Sequence, residues 1–278
     1  GVARDLAAYC DCHLTHKELH RPSVISFKAD RPDGATGVEV IDTQGAPRYC
    51  GVTIRGVEVK ESPDWLRQRL EAIGVRSINN VVDITNYILH GIGQPLHCFD
   101  LNTVEGGKIV VRTVEEGTKF VTLDGVERAL NSADLMICDA VKPMCIGGVF
   151  GGLNSGVTEN TTDIFIESAC FNPTRIRRTA RRHGLSTDAS FRYERGLDPN
   201  AAMYALKLAA IMVKELAGGE ICGEPVDIYS EKAEPFKVTL SYNYLNSLIG
   251  KELPRETVDA ILKSLEMEIT DRRGDEID

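Results

Sequence analysis

The fold is best predicted from residues 147–199, which read GGVFGGLNSGVTENTTDIFIESACFNPTRIRRTARRHGLSTDASFRYERGLDP. Four of the first six residues are glycines, which is typical of a chain that turns sharply or lets another group approach its backbone. Residues 163–171 then alternate in a pattern that predicts a β-strand. Glu167 lies within that strand, so its carboxylate either faces solvent or lies in a pocket with a specific partner.

A helix with a clear beginning and end follows the strand. Asn172 can cap it, Pro173 suits its first position and Gly184 can end it. The small polar loop 187–190 comes next. Seven arginines make this region basic: Arg175, Arg177, Arg178, Arg181, Arg182, Arg192 and Arg195. Either they match the helix dipole and pair with carboxylates, or at least two bind a phosphate-bearing partner. The whole stretch therefore predicts a ligand site with an anionic partner.

The rest of the chain predicts an α+β fold with a mixed or antiparallel β-sheet core and flanking helices, followed by a small truncated helical segment. Strand patterns occur at 48–59 and between 108 and 150, where Asp124-Gly125 is a strong hairpin signal. Helical patterns occur at 62–74, 77–91, 198–217 and 254–266.

Three segments are expected along the 278 residues. Residues 1–47 begin in mid-pattern and are predicted to connect preceding domains to a module at 48–227. Residues 228–278 are predicted to be a linker and the truncated start of a small helical domain. The composition, 42% hydrophobic and 26% charged, is that of a globular protein with a real core. No apolar run approaches the ~20 residues that span a bilayer, so no membrane association is predicted.

The eight cysteines are scattered without a CxxC pair, which favours free thiols in a reducing cytoplasm over a disulfide scaffold. Cys10, Cys12, His13 and His16 are clustered, and zinc is the alternative reading of that cluster. Zinc sites usually separate their ligand pairs further, so no metal site is predicted. The net charge of −9 argues against wholesale coating of nucleic acid but allows a local basic patch.

Among the catalytic motifs, HExxH, the Walker loop, GxGxxG after a strand and GxSxG do not occur. His97 is the best titratable candidate because it follows a Gln-Pro turn, although a hydrogen-bonded structural histidine is the alternative. Cys98 is its neighbour, but adjacent residues on a strand face opposite sides, which argues against a Cys–His dyad. His183 is expected to be a cation at the end of a helix.

Several longer motifs carry a family resemblance. They are RSINNVVDITNY at 76–87, QPLHCFD at 94–100, GGVFGG at 147–152, the Glu167 strand and RRHGLSTDASFRYERG at 181–196. In order and spacing they resemble the β subunit of bacterial phenylalanyl-tRNA synthetase, in its central editing module, over residues 48–227. The segment after Phe236 is similar to the start of that subunit's fifth domain, which has a small helical, nucleic-acid-binding-like fold.

The resemblance implies hydrolysis of tyrosine wrongly esterified to phenylalanine tRNA. A pocket shaped for phenylalanine rejects a ligand that merely adds a hydroxyl by only about 100-fold. A second site that offers a polar group to that hydroxyl inverts the selection, because phenylalanine would leave the group unpaired at a cost of about 1–3 kcal/mol.

Carried over residue by residue, the resemblance makes Glu167 the acceptor of the tyrosine phenol and His97 a catalytic histidine near the ester. An ion pair between Glu167 and an arginine of the following helix is the alternative. Five other residues would line the substrate site: Thr85, Asn86, Gly151, Thr187 and Ala189.

The expected partners are phenylalanine tRNA, the synthetase α subunit in a heterotetramer, and tyrosine as the editing ligand. Arg178 and Arg182 are the predicted tRNA contacts. No cofactor is expected in this chain, since ATP and magnesium would serve only the full synthetase. The alternative function is a non-catalytic scaffold that guides tRNA, and a cytoplasmic location is expected.

Overall fold

A computed structural model describes residues 1–15, 18–230 and 232–278. The chain divides into two compact units, one formed by residues 23–232 and the other by residues 1–22 together with 233–278. Residues 23–47, predicted to belong to a connector, thus cluster with the larger unit. The functions assigned above to residues 1–47, 48–227 and 228–278 stay predictions.

The helices and strands are numbered in chain order. The described α-helices are α1 (Val2–His13), α2 (Asp64–Glu71), α3 (Asn80–Ile92), α4 (Pro173–His183), α5 (Asp188–Tyr193), α6 (Ala201–Ala217), α7 (Tyr242–Ile249) and α8 (Arg255–Ser264), and two short 3-10 helices span Leu101–Thr103 and Glu105–Gly107. The described strands are β1 (Gly37–Val40), β2 (Arg48–Val57), β3 (Leu96–Asp100), β4 (Lys108–Arg112), β5 (Lys119–Val121), β6 (Glu127–Ala129), β7 (Met136–Cys138), β8 (Pro143–Ile146), β9 (Phe150–Gly151), β10 (Asp163–Cys170), β11 (Gly218–Tyr229), β12 (Leu240–Ser241), β13 (Arg272–Arg273) and β14 (Glu276–Ile277).

The larger unit contains two main sheets, with helices α2 to α6. The central sheet has the order β11-β2-β10-β3 and its neighbouring strands are antiparallel. The second sheet has the order β1-β4-β7-β8-β9, with β1 and β4 parallel and the other pairs antiparallel. Strands β5 and β6 form a separate hairpin. The predicted α+β class with a mixed or antiparallel core is confirmed.

Strand β10 separates two hydrophobic cores because successive side chains of a strand face opposite sides. Ile164 and Ile166 belong to the helical core, which lies against α2, α3 and α6. Phe165 and Ala169 belong to the sheet core, which lies between the central and second sheets. By this alternation, Glu167 faces the sheet core.

Helix α4 begins and ends where the sequence predicts. The Asn172 side chain accepts hydrogen bonds from the first turn, Pro173 is the first helical residue and Gly184 adopts a left-handed conformation at the end. Helix α3 differs from its predicted span of 77–91. It begins later because the Asn79 side chain caps it by accepting from the Val82 amide, and it passes Gly91 to end at Ile92.

The prediction of a loop at 187–190 is wrong, because this segment opens helix α5. The Thr187 hydroxyl accepts from the Ser190 amide, and the Ser190 hydroxyl accepts from the Thr187 amide. This reciprocal capping box satisfies two amide groups that a helix start otherwise leaves unpaired.

The smaller unit contains α1, α7 and α8, so its predicted helical character is confirmed in part. It also holds a three-stranded sheet of order β12-β14-β13. Its apolar cluster centres on Tyr242, Val258 and Ile277. Within the described residues of both units, no helix is long and apolar enough to cross a membrane.

Candidate functional site

Glu167 lies at the middle of β10, between two antiparallel neighbours. It is directly opposite His97 on β3 and Gly51 on β2. Side chains of directly opposite residues share one face of an antiparallel sheet, so the carboxylate and the imidazole lie side by side. Only 4% of Glu167 is exposed. The solvated-face interpretation of this carboxylate is therefore excluded.

The partner of Glu167 is a phenol. The Tyr49 hydroxyl donates to Oε2 of Glu167 at 2.6 Å, and Tyr49 is fully buried. Burial raises the pKa of Glu167 to about 7, while the hydrogen bond from Tyr49 lowers it. Burial, followed by the charge of Glu167, raises the pKa of Tyr49 well above 10. In the described part of the chain no arginine binds Glu167, so the alternative ion pair is not formed.

His97 presents a neutral imidazole next to this carboxylate. Its ring lies edge-on to Phe99, with ring centroids 4.5 Å apart. Burial lowers the pKa of His97 to about 4. The buried Nε2 atom has no hydrogen-bond partner among the described residues. Leaving a polar atom without a hydrogen bond in a folded core costs free energy. A ligand or a water that supplied this hydrogen bond would recover that free energy, so the Nε2 atom is well suited to receive or orient one.

The glycine-rich turn and the strand β9 that follows it bring backbone close to this histidine. A Cβ atom at Gly151 would lie 3.5 Å from Cε1 of His97. Gly148 has a φ of +66°, and a Cβ there would lie 2.8 Å from Phe171 and 3.0 Å from Tyr193. Glycines therefore allow the turn both its backbone conformation and its close packing on the neighbouring aromatic rings.

Helix α5 is fixed to the same turn. The Thr187 hydroxyl donates to the carbonyl oxygen of Val149 at 3.0 Å. Ala189 is partly buried against the sheet core. The structure thus holds the segment carrying Thr187 and Ala189 against the turn between β8 and β9, which leads directly into Gly151 on β9.

Thr85 and Asn86 lie on α3, whose apolar residues Val81, Ile84 and Ile88 pack in the helical core. The Thr85 hydroxyl donates to the Val82 carbonyl of its own helix at 2.7 Å. Strand pairing and the Tyr49 hydrogen bond therefore place His97 and Glu167 on the face of the sheet core, whereas the hydrogen bond of the Thr85 hydroxyl stays within α3.

Helix α4 uses its arginines in two ways. Arg182, together with His183 and Thr179, binds Asp134, whose side chain is completely buried. The lowered pKa of Asp134 reflects hydrogen bonds that outweigh its burial. In contrast, three arginines lie exposed on this helix, and no ion pair engages them within the described residues: Arg177, Arg178 and Arg181.

Neither thiol chemistry nor metal binding is supported near the site. Cys98 belongs to the helical core, on the face opposite His97, and burial raises the pKa of its thiol to about 12. In residues 1–15, 18–230 and 232–278, no group of three or more His, Cys, Asp or Glu side chains could hold a metal ion. The cluster that includes Cys10 and His13 also involves His16, which lies outside the described residues.

Tyr49 is the site residue that sequence reasoning missed. It lies 118 positions from Glu167, and β2 reads as an ordinary strand. The available signal was a tyrosine on a strand that pairs with the Glu167 strand, since a buried tyrosine hydroxyl usually has a polar partner.

Comparison with known proteins gives a consistent family. The B3/4 domain profile matches residues 45–218. The phenylalanine–tRNA ligase beta subunit of Bacteroides fragilis strain YCH46 is 58% identical over 275 residues, covering 99% of this chain and 34% of that protein. The corresponding subunit of Porphyromonas gingivalis is 55% identical over 271 residues, covering 97% of this chain and 33% of that protein.

The chain therefore spans about a third of the length of the curated relatives it matches. A solved structure, an N-terminal fragment of the phenylalanyl-tRNA synthetase beta-subunit from Pyrococcus horikoshii, is 15% identical with a TM-score of 0.48. It covers 90% of this chain, which in turn covers 70% of that fragment.

Proposed function

Because this chain belongs to the B3/4 domain family, we propose that it is the editing module of a phenylalanine–tRNA ligase beta subunit. Its reaction is the hydrolysis of the ester that joins tyrosine to phenylalanine tRNA. The observation that carries the proposal is a buried carboxylate, Glu167, already bonded to a phenol and adjacent to an unpartnered nitrogen of His97. The whole ligase would work in the cytoplasm with an α subunit.

Selectivity for tyrosine follows from the carboxylate. An ionised Glu167 accepts a hydrogen bond from the phenol of a bound tyrosine, and hydrogen bonds to a charged acceptor are worth about 1.5–3 kcal/mol. Phenylalanine offers no such donor and would leave the second carboxylate oxygen, the one not bound by Tyr49, desolvated without a hydrogen bond. The site thus removes the amino acid that a phenylalanine pocket rejects poorly.

Ester cleavage requires one water and a place for its proton. The water oxygen attacks the ester carbonyl carbon, the ester C–O bond breaks, and the terminal ribose oxygen of the tRNA takes up a proton as free tyrosine leaves. His97 is neutral near pH 7 because burial lowers its pKa to about 4. Its free Nε2 atom therefore orients the water or accepts the proton. Hydrolysis consumes only water, so no cofactor of this chain enters the proposal.

Small residues are proposed to shape the pocket wall. Gly151 on β9 leaves space beside His97, and Thr187 and Ala189 lie on the segment packed against the turn that precedes β9. Bulk at any of these three positions would occupy space next to the reacting groups. Thr85 and Asn86 are proposed to contact the tRNA end of the substrate.

The proposal is tested in the complete ligase by deacylation of tyrosyl-tRNA for phenylalanine. Glu167→Ala and His97→Ala should each lower kcat/KM at least about tenfold, because each removes a group that addresses the substrate. Exposed Glu159→Ala is the matched control for loss of a carboxylate. Undiminished deacylation in both site variants would reject the assignment.

A binding measurement separates the phenol contact from the chemistry. The native protein should bind free tyrosine in preference to phenylalanine, and Glu167→Ala should remove that preference. A preference that survives the substitution would mean that another group recognises the phenol.

A tRNA-guiding scaffold is the second candidate, favoured by the exposed arginines of α4. Arg178→Glu should weaken tRNA binding and reduce its dependence on salt, while tyrosine binding stays intact. Arg182 was predicted for the same role, but its substitution would also take an ion-pair partner away from the buried Asp134 carboxylate. Arg178 is therefore the cleaner test of the surface.

A further inference from the structure

A second residue, Tyr49, hydrogen-bonds from inside the protein to the carboxylate proposed to bind tyrosine. We propose that Tyr49 is a positioning residue that holds Oε2 of Glu167 and leaves Oε1 as the single acceptor for the phenol of the substrate. This inference rests on the proposed function and names a specificity determinant for it.

The sheet geometry fixes Tyr49 in this role. On β2, Tyr49 is directly opposite Ala169, so it is the diagonal neighbour of Glu167 on the same face. Diagonal neighbours in a sheet are within reach of aromatic side chains. The phenol has one proton to donate, and it lies 2.6 Å from Oε2. The other carboxylate oxygen, Oε1, receives no hydrogen bond from the described residues.

Close packing at Gly51, on the same strand as Tyr49, restricts the movement of these side chains. Gly51 is directly opposite Glu167, and a Cβ atom there would lie 2.0 Å from the Phe165 ring. The Phe165 ring therefore occupies the space above Gly51, next to the carboxylate on its own strand. Tyr49 and Phe165 are both fully buried in the sheet core, which leaves them little freedom to rotate away.

The other groups that face Glu167 supply no positive charge. His97 on β3 is neutral near pH 7. The thiol of Cys145 and the phenol of Tyr193 have pKa values that burial raises and the charge of Glu167 raises further. The same two causes raise the pKa of the Cys98 thiol, which lies on the opposite face of the sheet. Among these neighbours, Tyr49 is the group whose hydrogen bond favours the ionised carboxylate.

Loss of the Tyr49 hydroxyl therefore has a specific consequence. Both carboxylate oxygens become free, and the pKa of Glu167 rises because the hydrogen bond that lowered it is gone. Near pH 7 the carboxyl would then be protonated and would accept a substrate phenol poorly. Discrimination between tyrosine and phenylalanine should weaken at neutral pH and recover at higher pH, where the carboxyl ionises.

The test compares Tyr49→Phe with native protein in the complete ligase. The ratio of kcat/KM for deacylation of tyrosyl-tRNA to that of phenylalanyl-tRNA is measured between about pH 6 and 9. We expect the midpoint of its pH dependence to rise by about one pH unit and the ratio at pH 7 to fall about three- to tenfold. Tyr193→Phe is the matched control, since its hydroxyl donates to the Pro95 carbonyl rather than to Glu167.

A second readout keeps the inference testable without activity. NMR titration of the Glu167 side-chain carboxyl should show a higher midpoint in Tyr49→Phe than in native protein. If Tyr49→Phe does not fold, 3-fluorotyrosine at position 49 replaces it. That phenol is a stronger donor, so the Glu167 midpoint should fall.

The outcomes separate the two proposals. Suppose that Tyr49→Phe titrates with the same pH midpoint as native protein and Tyr193→Phe while Glu167→Ala still loses deacylation. That result overturns the role of Tyr49 and leaves the proposed function standing. Deacylation that is absent in native ligase or unaffected by Glu167→Ala overturns the proposed function itself. In that case the NMR titration still decides whether Tyr49 controls the carboxyl.

Discussion

Replacement of Glu167 with glutamine should stabilise the protein at alkaline pH and leave its stability nearly unchanged at acidic pH. Burial raises the pKa of Glu167 from 4.5 to about 7. Below pH 4.5 the folded and unfolded states both hold the proton, and above about pH 7 both release it. Between these values the folded state holds the proton more tightly, so stability falls as the pH rises. Glutamine cannot titrate, and its carbonyl can still accept from Tyr49.

The size of the effect follows from the displaced pKa. Each pKa unit corresponds to about 1.4 kcal/mol, so Glu167→Gln should exceed native protein in unfolding free energy by roughly 3 kcal/mol at about pH 8. His97 acts in the opposite direction, because burial lowers its pKa from 6.5 to about 4. The contribution of His97 to the free energy of unfolding therefore rises by a similar amount as the pH rises from about 4 to 6.5. The two opposed contributions should nearly cancel in native protein, and the variant should reveal the rise due to His97.

The assay is urea denaturation of the 278-residue chain at about pH 4.5 and about pH 8. Trp65, the single tryptophan of the sequence, reports on the larger unit by fluorescence. Glu159→Gln, at an exposed position, is the control and should change stability by less than about 0.5 kcal/mol at both values. A Glu167→Gln variant that is equally destabilised at both pH values would refute the reasoning.

Two further substitutions test the packing that supports the site. Gly51→Ala should cost about 3 kcal/mol in urea denaturation, because its Cβ would lie 2.0 Å from the Phe165 ring, whereas Gly37→Ala, with its nearest neighbour at 3.6 Å, should cost less than about 1 kcal/mol. Equal costs would contradict the close approach. Asp134→Asn should cost about 3–5 kcal/mol, since it removes the buried charge that faces His183. If the urea denaturation midpoint of this variant equals that of the native protein, the buried cluster around Asp134 does not contribute to stability.

Local signals were sufficient to predict α4 and β10. Asn172, Pro173 and Gly184 each act on the backbone within a few residues, and all three have the predicted roles. The strand predicted at 163–171 is observed at Asp163–Cys170. Burial of Glu167 was left open by the sequence, because alternation gives the two faces of a strand without saying what covers each.

The pairings that define the site connect distant positions, and no local pattern encodes them. Tyr49 and Glu167 are 118 positions apart, and Arg182 and Asp134 are 48 apart. Helix α5 was missed for a different reason. A short run of small polar residues such as 187–190 suits a turn or a helix start equally well, and the reciprocal bonds of Thr187 decide between them.

The two-sided burial of β10 links correct folding to correct chemistry. A slip of one residue in the pairing of β10 would turn Glu167 towards α3 and α6 and turn Ile166 towards His97. A carboxylate turned away from Tyr49 and buried in the largely apolar helical core would be desolvated, so the misaligned chain would be strongly disfavoured. The residue proposed to select tyrosine thus also disfavours the shifted strand pairing. In correctly folded molecules the Glu167 carboxylate therefore already lies on the same face as His97.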